Sequence, residues 1–255
     1  MFDPSLENQL TIFQLPHIVM LFVFITALTA VILTRNFFKK KIPDRVFRYT
    51  LGSFLLLMEV VFYIWMPTTH HNTLDYLPFF LLCSFINMLT IIGLFFNLKK
   101  MFAITFYWAL TGAFYALIFF DITYTFPHFR FFQYFLSHIG FCIVHLYFYL
   151  TGRIKINKNN FLISVFILTL LSIVMLGIDR YHGKNYWFML GCPPQLEYAS
   201  DALGKLYTIT WMTLAAVTVS FWYVMFKFID HLRFQYSERK MKDGQTNQNA
   251  AERGS

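Results

Sequence analysis

Residues 13–33 read FQLPHIVMLFVFITALTAVIL, an apolar run that no Asp, Glu, Lys or Arg interrupts. About 20 such residues cross a bilayer as a helix. The run is continuous rather than alternating, and in hydrocarbon only a helix satisfies such a backbone by itself, so a transmembrane strand is excluded. Working outward, six further runs qualify: roughly 49–66, 77–96, 101–120, 131–151, 161–177 and 206–226. The expected fold is an all-α membrane protein, a seven-transmembrane-helix bundle forming one polytopic domain over residues 1–228. A polar cytoplasmic tail follows over 229–255, with the composition of a disordered segment.

Composition agrees. The chain is 57% hydrophobic, 21% aromatic and only 13% charged, with 33 Phe. A soluble domain carries about 25% charged residues. The formal charge of +8 does not point to nucleic acid, because Lys and Arg sit in short clusters between the apolar runs. Such clusters orient helices. Asp3 and Glu7 are the only charges before the first run, so it reads as a retained helix rather than a cleaved leader. Cys83, Cys142 and Cys192 form neither a disulfide nor a zinc framework.

Alternate connections differ sharply in charge. Segments 34–48, 97–100, 152–160 and the tail from Lys227 hold 17 of the 21 Lys and Arg residues. Positive charge favours the cytoplasmic side, which predicts an outward N-terminus and a cytoplasmic C-terminus. The Lys39-Lys40-Lys41 run is then a stop signal that also meets anionic lipid.

Glu59 is the one charged residue inside the seven spans. An ionisable group at that depth costs at least about 2.5 kcal/mol unless paired, neutralised or hydrated, and so marks a candidate site. Pro78 suits the first turn of the third helix. Counted from residue 77, Cys83 lies roughly 9 Å below the outer end, and Asn87 is one turn deeper on the same face. His138 and Glu59 each fall roughly 10 Å below the outer ends of their own helices. Thiol, imidazole and carboxylate thus share one depth. An imidazole that takes a thiol proton makes a strong nucleophile, and a carboxylate can orient the imidazole. The alternative is structural: a packing Cys, a hydrogen-bonded His and a protonated Glu joining two helices.

Other candidates carry less. His17 reads as an interfacial residue. His138, Cys142 and His145 share a helical face. His70, His71 and Asp75 sit in an outer loop without standard zinc spacing, so no metal is assigned. Asp121, Asn185 and Tyr186 are expected at the outer surface, where they could cap a pocket or bind a headgroup. No phosphate loop, serine elbow or other cofactor motif is present, and no cofactor is assigned.

Several segments recur in order: Glu59; Leu77-Pro78 through Leu82-Cys83-Ser84; Tyr107-Trp108 through Gly112; Phe126-Pro127-His128-Phe129; Phe135-Leu136-Ser137-His138; and Asn185-Tyr186-Trp187-Phe188 followed by Pro193. With these pieces the chain resembles the YwaF family of bacterial integral membrane proteins, from about residue 10 to 226. That family is related to an animal transmembrane acyltransferase that moves polyunsaturated acyl chains onto ether phospholipids. More distantly it resembles membrane hydrolases of fatty-acid esters. The resemblance implies a Cys83–His138 catalytic pair. In the enzyme reading Glu59 and Asn87 support that pair, and Trp108, Asn185 and Tyr186 are substrate-binding candidates. It departs from the family at Leu81, two residues before the Cys, where a polar residue or His is commoner.

The resulting expectation is a multi-pass protein of the bacterial plasma membrane that acts on membrane lipids as acyl donor and acceptor. The alternatives are a non-catalytic binding or transport protein and a membrane ester hydrolase. A fluorescent protein fused after residue 240 is expected to fluoresce, and alkaline phosphatase at the same site to stay inactive. The reverse pattern would overturn the orientation.

Overall fold

The computed structural model describes residues 1–3, 10–69, 77, 79–120, 122–192 and 197–253. His70, His71, Asp75, Pro78, Asp121 and Pro193 lie outside the described residues. The helices are α1 (Leu15–Thr34), α2 (Lys41–Trp65), α3 (Leu82–Phe96), α4 (Lys99–Ile118), α5 (Phe129–Leu150), α6 (Lys158–His182), the short α7 (Glu197–Leu203) and α8 (Tyr207–Arg253). No strand occurs among the described residues. Six of the helices are long and apolar enough to cross a membrane.

Besides the 7-residue α7, the exception is α3, whose 15 residues reach about 22 Å at 1.5 Å per residue, against a hydrocarbon core of about 30 Å. The apolar run predicts a helix from residue 77. Instead Leu77 and Phe80 form a turn, with the Phe80 N–H donating to the Leu77 carbonyl at 2.9 Å, and Leu81 is extended. The Phe80 ring stacks on Tyr186 at 4.8 Å, which draws this stretch out of the helix axis. Cys83 is therefore the second residue of α3, not a residue one and a half turns deep.

Burial sorts the helices. In α5, 83% of the spanning window is buried; in α6 and α8 the figure is 11%. Helix α5 carries Gln133, Ser137, His138 and His145, all buried, and is kept from lipid because these groups need partners. Helices α2, α3 and α4 pack around it, and α4 also contacts α6 and α8. The faces of α1, α6 and α8 expose Leu, Ile, Val and Phe outward, as hydrocarbon permits.

Two ends of the bundle are tied differently. At the end where the chain begins, the Phe129 N–H donates to the Met1 carbonyl at 2.8 Å and the Trp65 indole N–H to the Phe2 carbonyl at 2.8 Å. His17 is fully buried rather than interfacial. Its Nε2 lies 2.8 Å from the Leu117 carbonyl and its Nδ1 accepts from the Phe13 N–H, joining α1 to the end of α4. At the far end, Asp44 of α2 receives the Tyr147 hydroxyl at 2.6 Å, Arg153 at 2.8 Å and Arg48 at 3.2 Å. Arg48 also donates to the Leu94 carbonyl and Arg153 to the Phe38 carbonyl. His145 is likewise structural, held by Thr105 and the Phe141 carbonyl, and Cys142 is buried beside it. Helix α8 continues to Arg253, with residues 231–240 exposed.

Close approach at Gly93 lets α3 meet α4. A Cβ there would come within 2.3 Å of Met101 Cε and 2.7 Å of Phe102 Cζ. Gly93→Ala is expected to destabilise the protein by about 1–3 kcal/mol in detergent thermal unfolding. Gly177→Ala, where nothing lies within 4 Å, should not. Equal melting of the two variants would refute this packing.

Candidate functional site

A cavity of about 660 Å³ opens among α2, α3, α4, α5, α6, α8 and the α6–α7 connection, toward the end where the chain begins. This size suits a small-molecule or lipid ligand, since such sites run about 300–1,000 Å³. Aromatic and aliphatic side chains make most of the wall. Among the lining residues there is one acid, Glu59, and one permanent cation, Arg130.

Each polar group is held by its helix. On α5, His138 sits one turn after Tyr134, and its Nδ1 lies 2.7 Å from the Tyr134 carbonyl. A carbonyl only accepts, so Nδ1 carries the proton and Nε2 is left with a lone pair. Nε2 is buried and has no hydrogen-bond partner among the described residues. Glu59 of α2 receives the Asn87 amide N–H on Oε2 at 3.0 Å, crossing to α3. Glu59 Oε1, Asn87 Oδ1, Ser137 Oγ, Thr111 Oγ1 and Trp187 Nε1 are also buried without partners among the described residues, and all belong to cavity-lining residues. Buried polar groups are ordinarily satisfied. A concentration of such atoms around one space marks a site for a partly polar ligand.

At the mouth, Arg130 lies over the Phe62 ring at 4.7 Å and the Tyr134 ring at 5.6 Å, and its Nη1 donates to Gln133 Oε1. His128 caps α5 by accepting the Arg130 N–H on Nδ1 at 3.1 Å. Burial between Tyr124 and Trp65 pushes the His128 imidazole below its ordinary range, which keeps that acceptor available.

The α6–α7 connection covers the other side through Tyr186, Trp187, Phe188 and Met189. Asp179, fully buried, anchors it by accepting the Tyr186 N–H at 2.9 Å. The Tyr207 hydroxyl donates to the Phe188 carbonyl and the Thr208 hydroxyl to the Met189 carbonyl.

The TMEM164 family model matches residues 12–226. The chain belongs to the TMEM164 family. No curated protein and no solved structure matches the sequence. The matched region contains every helix that lines the cavity and stops in α8 at Phe226, a buried residue, shortly before that helix leaves the bundle. Family membership and the apolar helices together make this a multi-pass membrane protein.

Of the residues singled out in the sequence, Glu59, Cys83, Asn87, Trp108, His138 and Tyr186 all line this one cavity. Asn185 does not line it. It is exposed and shapes the connection, accepting the Leu190 N–H and donating to the Gly191 carbonyl. Among the described residues no group of three or more His, Cys, Asp or Glu is placed to hold a metal ion.

Arg130, Ser137 and Asp179 were not anticipated. Arg130 counts as a loop residue when the fifth span is started at 131, yet it lies one turn before Tyr134, the spacing of a cation–aromatic pair. Asp179 falls outside a sixth span ended at 177. Gly183, left-handed at φ 64°, is the C-terminal stop signal that extends α6 to His182. Asp179→Ala is expected to speed amide exchange across residues 183–192 and to cost about 1–3 kcal/mol. Asp179→Asn, which keeps the acceptor oxygen, should do neither; identical behaviour of the two variants would refute the anchor.

Proposed function

We propose that the chain is a membrane-embedded lipid acyltransferase in which Cys83 is the nucleophile and His138 the base. The observation that supports this most directly is that Cys83 and His138 line the same cavity, with His138 Nε2 buried and unpartnered among the described residues. The ordered resemblance to the YwaF and ether-phospholipid acyltransferase branches supplies the roles, and with them a bacterial plasma membrane. The charge asymmetry supports a cavity in the outer half of the bilayer.

In this mechanism Nε2 takes the Cys83 thiol proton as the sulfur adds to the ester carbonyl of a donor phospholipid. The tetrahedral adduct collapses, and the departing lysolipid oxygen receives that proton from the imidazolium. The acyl group remains on Cys83 as a thioester. A hydroxyl of an acceptor lipid then gives its proton to Nε2 and attacks the thioester, and the imidazolium returns a proton to the leaving thiolate. Glu59 and Asn87 are supporting groups, their side chains fixed on each other. Trp108 and Tyr186 are walls for acyl chain and glycerol.

Water in place of the acceptor lipid would make the same site an ester hydrolase. The predominantly apolar, aromatic wall favours a lipid acceptor. A transport function needs a passage to the far end, but Phe106, Tyr107, Tyr147 and Phe148 fill that half of the bundle and are fully buried.

Lipid profiles of cells with and without the protein should differ in acyl distribution, and Cys83→Ala should abolish the difference while leaving expression and melting intact. His138→Asn is expected to slow turnover by about 10²–10⁴-fold. Cys142→Ala, which removes a buried thiol outside the lining, should have no effect on turnover. An acyl adduct on Cys83, sensitive to hydroxylamine, would be the trapped intermediate. Unchanged lipid profiles on deletion would sink the proposal.

A further inference from the structure

A second space lies outside the cavity. Helices α3 and α6 both pack on α4 but make little contact with each other. A groove of about 730 Å³ runs between them with α4 as its floor. Its walls are Phe85 and Leu89 on one side and Ile167 and Leu171 on the other, and Met101 and Ile104 lie along the base. One end is Trp108. The other is the α3–α4 connection with Lys99 and Lys100, both exposed.

From Lys100 to Trp108 the floor extends about 12 Å along α4. Trp108 belongs to both spaces, so one indole is the partition between groove and cavity. Its N–H donates to the Ser164 carbonyl at 3.2 Å, which holds the partition in position.

In a bilayer the open side of this groove faces hydrocarbon, and an acyl chain is the occupant that matches its walls. The charged end selects among lipids. Lys99 and Lys100 have no ion-pair partner among the described residues. At this end of the bundle Asp44 is already shared by Arg48, Arg153 and Tyr147, and Asp230 accepts from the Tyr149 hydroxyl. Leu98 at the N-cap of α4 offers no side-chain acceptor to the first helical turn. Two uncompensated ammonium groups above an apolar channel complement a phosphate above an acyl chain.

We infer that this groove is a binding site for a phospholipid with a net negative headgroup, chain between α3 and α6 and headgroup on Lys99 and Lys100. The site is separate from the cavity and does not depend on acyl transfer. A chain lying against Trp108 would support the cavity wall from behind.

The test uses the full chain purified in detergent, titrated with phosphatidylglycerol or phosphatidylcholine of identical acyl chains and read by native mass spectrometry. Phosphatidylglycerol is expected to bind about 30-fold more tightly, the scale set by two basic residues beside an anionic headgroup. Lys99→Gln with Lys100→Gln should remove that preference. Leu89→Trp, which fills the groove, should weaken both lipids with the lysines intact. Lys39→Gln with Lys40→Gln, a cationic pair elsewhere, should leave the preference in place. Equal binding of the two lipids to the unaltered protein would overturn the site. So would equal loss with either lysine pair, which would mean diffuse attraction rather than a groove. Melting curves identify any variant that fails to fold, and for Leu89→Trp the smaller Leu89→Phe then replaces it.

Discussion

Hydrocarbon gives a backbone N–H or C=O nothing to bond with, so irregular chain at membrane depth survives only when other protein surrounds it or a cavity adjoins it. That constraint organises this molecule. Residues 79–81, just ahead of α3, are not helical, and α3 itself is too short to cross a bilayer alone. The extended segment survives because Phe80 rests on Tyr186 and because Leu81, Leu82 and Cys83 border the cavity. Shortening α3 and opening the cavity are therefore one event. A full helix from residue 77 would carry Cys83 deeper and fill the space.

The two ends of the bundle have different characters for a related reason. At the far end, Asp44 collects a phenol and two guanidiniums, and these tie α2, α5 and the α5–α6 connection into one rigid unit. Both carboxylate oxygens of Asp44 are engaged, and the surroundings are packed aromatics. At the end where the chain begins, polar atoms are buried around the cavity without partners. A buried polar group left unsatisfied is unfavourable by about 1–3 kcal/mol. The Asp44 cluster stabilises a bundle that tolerates the unsatisfied groups around its cavity.

Membership of the TMEM164 family and the apolar helices make this a multi-pass membrane protein, and the cavity within its bundle is walled mostly by aromatic and aliphatic side chains. The cavity contains one thiol, one imidazole with a spare lone pair and one carboxylate held by an amide. Under the proposed function Cys83 is the nucleophile, neutral His138 its base, and the apolar wall shields a thioester from water.

Much of the architecture is legible in the sequence because the bilayer imposes a length and a polarity that no tertiary contact can waive. Most of residues 13–33 must be a helix whatever surrounds them, as α1 is from Leu15, and Glu59 must turn inward. Glu59, Cys83, Asn87 and His138 could be picked out as unusual groups in apolar runs, and they do share a cavity. The depth argument that linked them failed for Cys83, since the helix begins five residues later than the apolar run. Arg130, Ser137 and Asp179 were invisible, because one hydroxyl in a span or one charge at its edge looks like any other. What periodicity and hydropathy determine is which segments leave water. Which polar atoms are satisfied, and which are left facing a common space, depends on how helices from distant parts of the chain meet, and only the folded bundle decides that.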